Sequence, residues 1–460
     1  MSPLSDAPAE TRLGGVVAAL CLVQFVDVLG VTVVVTALPS MLSDVGGSSA
    51  DAPLVATGYA MFFGGLLMFG ARLGDRLGHR RTILASLGLF AVGSLLAATA
   101  TSVVALTAAR CVQGAAAAGA VPSALKLLTT AADGGRARAR AVAAWSAAGA
   151  VAGASGFVVG GVVSALSTWR VIFRGLLGLA ATQAVAVTLL VPRDPRGTRR
   201  TPLNAGGSVL LTATVMLVVV GTTLLGQDGH RLPGALLLGA AAAVATAFVA
   251  ADRRASAPLL PGPLVRTPQV VRGASGSFVN TSTTSGAATL LTLYLQATLG
   301  RTPLEAAATL LPLSVCVIGG STVAARLIVH RPRERIASAG LFLIACGIAL
   351  PLLGPSAAVL VGAGMAVAGL GLGLSAVSST SLGTDVDETL RATTSGVINT
   401  SAQLGTAIGT ATVLLVAAAT TGVPDATSGP PVIAWAVPAT VALVAAVVFA
   451  RLGLKGVPPA

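Results

Sequence analysis

The chain has 460 residues, of which 54% are hydrophobic and 10% charged, against roughly 25% charged in an ordinary soluble domain. With a mean hydropathy of +0.87, 55 glycines and 3% aromatics, it excludes a soluble enzyme and fits small-residue apolar helices packed closely in lipid. The formal charge of +13 would point a soluble domain toward nucleic acid, whereas in a membrane protein it marks a basic inner surface and calls for no nucleic-acid partner.

A bilayer core takes about 20 apolar residues as a helix. Taken in chain order, such runs fall at 13–37, 53–72, 82–101, 103–125, 141–163, 171–191, 205–226, 232–251, 273–298, 304–325, 336–352, 356–378, 392–419 and 432–450. These fourteen runs predict an all-α polytopic membrane protein. The ninth, rich in Ser and Thr, and the thirteenth, longer than a straight crossing needs, have the weakest signals. Basic residues test the count, because short cytoplasmic loops hold the excess of Lys and Arg. With the N-terminus inside, all 29 fall on inner segments except Arg110, Arg170, Arg174, Arg231 and Arg301. Both termini are therefore expected in the cytoplasm.

The chain also repeats. Ala71-Arg72-Leu73-Gly74-Asp75-Arg76-Leu77-Gly78-His79-Arg80-Arg81, after the second run, has a degraded echo in Ala325-Arg326-Leu327 through Arg335, after the tenth. Two six-helix halves with an inserted helix pair put these loops in equivalent places, around a midplane site of the kind many secondary transporters use. The expected divisions are a cytoplasmic N-terminus over 1–12, a six-helix bundle over 13–191, a cytoplasmic linker with two inserted helices over 192–266, a second six-helix bundle over 267–451 and a cytoplasmic tail over 452–460.

Cys21, Cys111, Cys316 and Cys346 are scattered through apolar runs, and His79, His230 and His330 sit beside arginine in loops. Neither spacing suits a disulfide or a metal, and no cofactor is implied. An ionisable side chain at membrane depth costs at least about 2.5–3.5 kcal/mol and so asks for a reason. Of the sixteen acids, Asp27 alone falls well inside a run, and Arg110 is the deepest base. At about 1.5 Å per residue they lie roughly 15 Å and 11 Å below the outer edge, a difference that lets them meet. The reading is that Asp27 carries a proton and that its ionised form pairs with Arg110; the alternative is a static ion pair that fixes helix packing.

Gln24 shares the face of Asp27, and Gln113 shares that of Arg110. Further cavity candidates are Asn280 with its neighbouring Thr281 to Ser285, Tyr294, Gln296, Asn399 and Gln403. Such groups also serve simply as glue between helices. In the fifth run Gly149, Gly153, Gly156, Gly160 and Gly161 repeat at GxxxG spacing, which leaves a smooth face that a neighbour can approach and slide along.

These residues resemble the major facilitator superfamily, and within it the fourteen-helix branch of drug:proton antiporters. The loop Arg72 to Arg81 is similar to the family's signature between helices two and three, where the resemblance implies a cytoplasmic latch of Gly74, Asp75, Arg76, Gly78, Arg80 and Arg81. Ala37-Leu38-Pro39 closing the first span, Arg110-Cys111-Val112-Gln113-Gly114, and Gly160-Gly161 followed by Trp169-Arg170 are similar to further motifs of the branch, as are Tyr294-Leu295-Gln296 and Ser395 through Gly405. Two departures stand out. Gly30 occupies the place of the branch's usual acid, with Asp27 one turn earlier, and Phe157 replaces the proline of the helix-five motif.

The resemblance implies a major facilitator fold and a proton-coupled secondary transporter of the bacterial inner membrane that exports a drug, antibiotic or related metabolite by alternating access. Its partners would be a small amphipathic substrate, protons and the lipid bilayer, with the proton gradient as energy source and no obligatory protein partner. The same scaffold also serves proton-coupled importers and facilitators, and more remotely non-transporting sensors. A membrane-embedded enzyme would need clustered catalytic groups, and one acid with one base is no such cluster.

Overall fold

The structure is a computed structural model and describes residues 9–132, 135–194, 202–227, 229–354, 358–386, 388–421 and 432–455. Arg196, Arg199 and Arg200 of the inner linker and residues 456–460 of the tail lie outside them. The described residues form helices and no strand. Helices α1 (Ala9–Asp44), α2 (Ala52–Leu77), α3 (His79–Ala98), α4 (Val103–Ala131), α5 (Gly135–Leu166) and α6 (Arg170–Leu190) come first. A hairpin of α7 (Ala205–Leu225) and α8 (Arg231–Arg254) follows, then the short α9 (Gly262–Arg266). The second set is α10 (Pro268–Leu293), α11 (Pro303–Leu327), α12 (Arg333–Ala349), α13 (Ala358–Gly383), α14 (Glu388–Thr421) and α15 (Val432–Lys455).

Each of the fourteen apolar runs is thus a helix. Thirteen are long and apolar enough to cross a membrane. The fourteenth is α10, whose 26 residues suffice in length while its Ser and Thr lower its hydropathy. Helix ends follow local chemistry. Ser102 caps α4 by accepting from the Ala105 N–H at 3.2 Å, and Thr302 with Glu305 forms a reciprocal capping box at α11, each satisfying backbone donors that a helix start leaves open. The sequence ends the first span at Pro39, whereas α1 runs through it to Asp44. A proline removes one backbone bond, and the turn beyond it is held by burial of Met41 and Leu42.

Packing repeats with the sequence. In the first set α1 packs on α4, α5 and α6, α2 on α4, and α3 on α4 and α6. In the second, α10 packs on α13, α14 and α15, α11 on α13, and α12 on α13 and α15. The two patterns are the same with each helix shifted by nine places. The sets join through α2 with α14 and α5 with α11, a pairing that the same shift exchanges, as a two-fold axis between halves requires. Helix α7 seats in the seam against α2 and α14, with α8 outside it.

Two apolar clusters cross between the halves: a smaller one joins Ala60 and Met61 of α2 to Ala407 and Ala411 of α14, and a larger one lies toward their outer ends. The larger combines Leu38, Met41 and Phe157 with Leu295, Leu310 and Trp435. Toward the inner ends the clusters belong to single halves, Leu20, Ile83, Leu128 and Trp145 in the first and Ala324, Ile336 and Leu374 in the second. The bundle is thus sealed at its outer end by apolar contact between the halves, an outward-closed arrangement. Contact between α2 and α14 continues inward to Met68 and Gly396.

Candidate functional site: a buried acid, phenol and guanidinium

Asp27 of α1 and Arg110 of α4 are both buried, the acid 8% exposed and the base 0%. They do not form an ion pair with each other. Tyr59 of α2 links them: its hydroxyl donates to Asp27 Oδ1, and the guanidinium carbon lies 4.8 Å from the centre of its ring, within the range of cation–π attraction. The other side of Arg110 is held by Gln113, whose Oε1 accepts from Nη1 at 2.9 Å. Gln113 Nε2 donates to Ser94 Oγ of α3 at 2.9 Å, and Ser94 donates to the Phe90 carbonyl at 2.8 Å. Arg110 Nε and Nη2 are buried with no hydrogen-bond partner. The chain of contacts therefore spans α1, α2, α4 and α3, all in the first half. A small cavity lined by Val23, Asp27, Tyr59, Ser86, Ala120 and Gln183 adjoins it; Val23 and Ala120 lie on the inner side of Asp27 along their helices.

The network depends on a close approach of α2 and α4. A side chain at Gly114 would run into the Tyr59 backbone, so the glycine of the Arg110-to-Gly114 motif is what brings Tyr59 over Arg110.

The other expected residues separate into groups. Gln113 is 0% exposed, a clamp on Arg110 and not a cavity wall. Gln24 faces Gly149 of α5. In the second half Asn280 Nδ2 donates to Ser375 Oγ of α13 at 3.2 Å, while Asn280 Oδ1 has no partner. Of the hydroxyls beside it, Thr283 and Thr284 bond back to their own helix, and Thr281 joins α10 to α14 through the Ala402 carbonyl at 2.7 Å, the glue role. Gln403 sits against Gly64 of α2, between the halves. Tyr294 packs edge-on against Trp435 at 5.2 Å between centroids and starts a π turn, Tyr294–Thr298. Within that turn Gln296 Nε2 donates to the Thr36 carbonyl of α1 at 2.9 Å, across the halves. These two close the outer end. Asn399 is exposed and joins none of these groups.

On helix five, Gly149, Gly156 and Gly160 face α1 and Gly161 faces Ala307 and Pro303 of α11, while Gly153 has only Val28 and Ser314 near it, both at 3.8 Å. Phe157 is 4% exposed and part of the larger cross-half cluster. The signature loop turns at Gly78, with φ of +98°, a conformation that glycine adopts without strain. Asp75 pairs with His79 at 3.2 Å, Gly74 is buried beside Ser123 of α4, and Arg76 is exposed. The carboxylate that caps α3 is that of Asp194, which accepts from the Arg80 and Arg81 N–H groups at 3.0 and 3.1 Å. Arg80 in turn donates to the Thr188 carbonyl of α6 at 2.8 Å. These bonds tie α3 to α6 within one half. Arg72 donates to the Ala257 and Pro258 carbonyls at 2.6 and 2.7 Å, beside Asp252, whose oxygens accept from Asn204, Leu259 and Leu260.

Residues 20–410 match the family model of the Major Facilitator Superfamily. The chain belongs to that superfamily. Among similar proteins, the lincomycin resistance protein of Streptomyces lincolnensis is 36% identical over 72% of this chain and 68% of its own. The cephamycin export protein CmcT of Amycolatopsis lactamdurans is 32% identical over 86% of this chain and 83% of its own. Among solved structures, a bacterial homologue of the human lysosomal transporter Spinster, inward-facing and occupied, superposes with a TM-score of 0.68 at 16% identity, over 99% of this chain and 100% of that one; it shares the fold. For this facilitator, sequence reasoning singled out Asp27, Arg110 and Gln113 and passed over Tyr59, Ser94, Asp194 and Asp252. Tyr59 left one usable signal. The chain has two tyrosines, and a phenol deep in a span needs a hydrogen-bond partner.

Proposed function

We propose that the protein exports a small amphipathic molecule, an antibiotic or a related metabolite, across the bacterial cell membrane in exchange for protons. Asp27 carries the proton and Arg110 tunes it. The observation that carries this reading is that the one acid deep in the spans is linked, through Tyr59, to the deepest base. Burying an acid and a base costs free energy, so such groups are kept where they serve packing or transport, and a carboxyl with a neighbouring small cavity on its inner side suits proton exchange with the cytoplasm. The similarity to a lincomycin resistance protein and a cephamycin export protein supports export over uptake.

In this reading the bundle over 13–191 holds the proton site, the bundle over 267–451 supplies neutral polar groups such as Asn280 and Gln403 to the substrate, and the inserted pair within 192–266 braces the seam. Transport involves no catalytic step and no cofactor.

The test is expression in a transporter-deficient host followed by accumulation of lincomycin, puromycin and a cephamycin, with and without a protonophore. The expected outcome is lower accumulation of at least one compound, reversed by the protonophore. In vesicles, Asp27→Asn is expected to cut pH-gradient-driven transport at least about tenfold. Full coupled transport by that variant would end the proton assignment, and stimulated uptake would end the export assignment.

A further inference from the structure

Arg110 is held on one edge by Gln113 and on one face by the Tyr59 ring, yet its Nε and Nη2 hydrogens are buried with no acceptor. The nearest carboxyl, Asp27, is instead taken by the Tyr59 hydroxyl. A buried guanidinium edge with two open donors is an incomplete site for a carboxylate, because paired donors and a carboxylate form a bidentate contact. We propose that Tyr59 is a positioning residue that holds the Asp27 carboxyl away from Arg110 in the outward-closed state, so that Tyr59 and Arg110 are alternative partners of Asp27. This rests on the reading of Asp27 as the proton site.

The exchange balances simply. The Asp27 carboxyl loses its proton to water in the adjoining cavity and becomes a carboxylate. That carboxylate leaves the Tyr59 hydroxyl and accepts from Arg110 Nε and Nη2, filling the open edge. Tyr59 keeps its own proton throughout, and reprotonation of Asp27 returns the carboxyl to the phenol. Because Tyr59 stands on α2 and Arg110 on α4, the choice of partner changes which helix α1 is tied to. Helix α2 is also one of the two that bridge to the second half, through α14, which connects proton occupancy to the seam between halves.

Other titratable groups around Asp27 are few. Helix α1 itself carries Cys21 and, at its outer end, Asp44; α2 carries Arg72, Asp75 and Arg76 at its inner end; and α4 adds Cys111 next to Arg110 and Lys126 at its inner end. The cavity brings Ser86, Leu87 and Phe90 from α3 and Gln183 from α6, all neutral, while His79, Arg80 and Arg81 of α3 lie at its inner end and Arg170 and Arg174 of α6 toward its outer end. Helix α5 presents glycines to α1, with its arginines at the inner end. Helices α10 and α11, which also touch α1, hold Arg272 and Arg326 at their inner ends; α11 holds Glu305 at its outer end and the Cys316 thiol between, and Tyr294 follows the outer end of α10 directly.

The experiment is a pH titration of the carboxyl infrared band of the purified protein in lipid, assigned to Asp27 by its loss in Asp27→Asn, and repeated on Tyr59→Phe. The phenyl ring stays, so the packing on Arg110 is kept and only the hydroxyl goes. If Tyr59 competes with Arg110, its removal releases the carboxylate to the guanidinium, and the band disappears at a pH at least about one unit lower than in the parent. If the hydroxyl is merely a donor that supports the carboxylate, the band persists to higher pH; that result, or no shift, overturns the proposal. A carboxyl band unchanged in Asp27→Asn would instead mean that Asp27 is not the titrating group, and the proton assignment itself would fall. Thermal unfolding of each variant, expected to match the parent, checks that Tyr59→Phe folds.

Discussion

Gln113 shows how one neutral side chain decides what a buried charge can do. It bridges Arg110 and Ser94 with bonds of 2.9 Å each, fixing the guanidinium so that its open edge is held in place. Gln113→Leu removes that anchor and leaves a further buried N–H unsatisfied, at a cost of about 1–3 kcal/mol. The expected results are a lower melting temperature in detergent and a several-fold loss of pH-gradient-driven efflux. Ser94→Ala, which leaves the Arg110 contact intact, should lose less of both; equal loss would mean that Gln113 serves packing alone. Asp27 and Arg110 were legible in the sequence because a charge inside an apolar run is conspicuous. Ser94 was not, because a hydroxyl in a helix occurs often as glue, and for Tyr59 the sequence shows that a buried phenol needs a partner but only the fold shows which one. Asp194 was hidden for another reason: it caps α3 from 113 and 114 residues away.

Helix five illustrates the same limit for a face made of glycines. Spacing alone predicted a smooth surface, but not that the surface is shared, with Gly156 and Gly160 against α1 and Gly161 against α11 of the other half. Hydropathy found the fourteen runs because length and apolar content are local properties. It ranked the α10 run as weak because that helix buries hydroxyls against α13 and α14 in place of lipid-facing side chains. The contacts grade the glycines. Adding a methyl at Gly160 would meet the Val33 backbone and Thr36, whereas at Gly153 nothing stands closer than 3.8 Å. Gly160→Ala is therefore expected to destabilise by about 1–3 kcal/mol through overpacking, and Gly153→Ala to be close to neutral. Melting curves of the two variants check this, and an equally tolerated Gly160→Ala would contradict the close packing of α1 on α5.

The two halves are joined outside by a seal with one polar clasp, Gln296 to the Thr36 carbonyl, set in an apolar cluster that both halves share. Inside, Arg80 of the signature loop bonds to α6 and to Asp194 and Arg72 bonds to Ala257 and Pro258 of the linker, so these bonds of the expected latch tie the first half to itself and to the linker while the outer side is closed. Alternating access then requires the outer clasp to open. A single interhelical hydrogen bond in a membrane contributes only about 0.6 kcal/mol on average, so the clasp is breakable, and most of the resistance comes from parting the cluster around Tyr294 and Trp435. The prediction is that a covalent clasp stops the cycle. With Cys21, Cys111, Cys316 and Cys346 replaced by Ser, the pair Thr36→Cys and Gln296→Cys should be linked by a short bifunctional thiol reagent when the outer side is closed. Linkage should abolish efflux, while each single variant treated alike keeps it. Raising the population of outward-open protein should protect the pair from linkage. Undiminished efflux by a fully linked protein would mean that α1 and the turn after α10 do not separate during transport, and that the outer seal is a fixed part of the bundle.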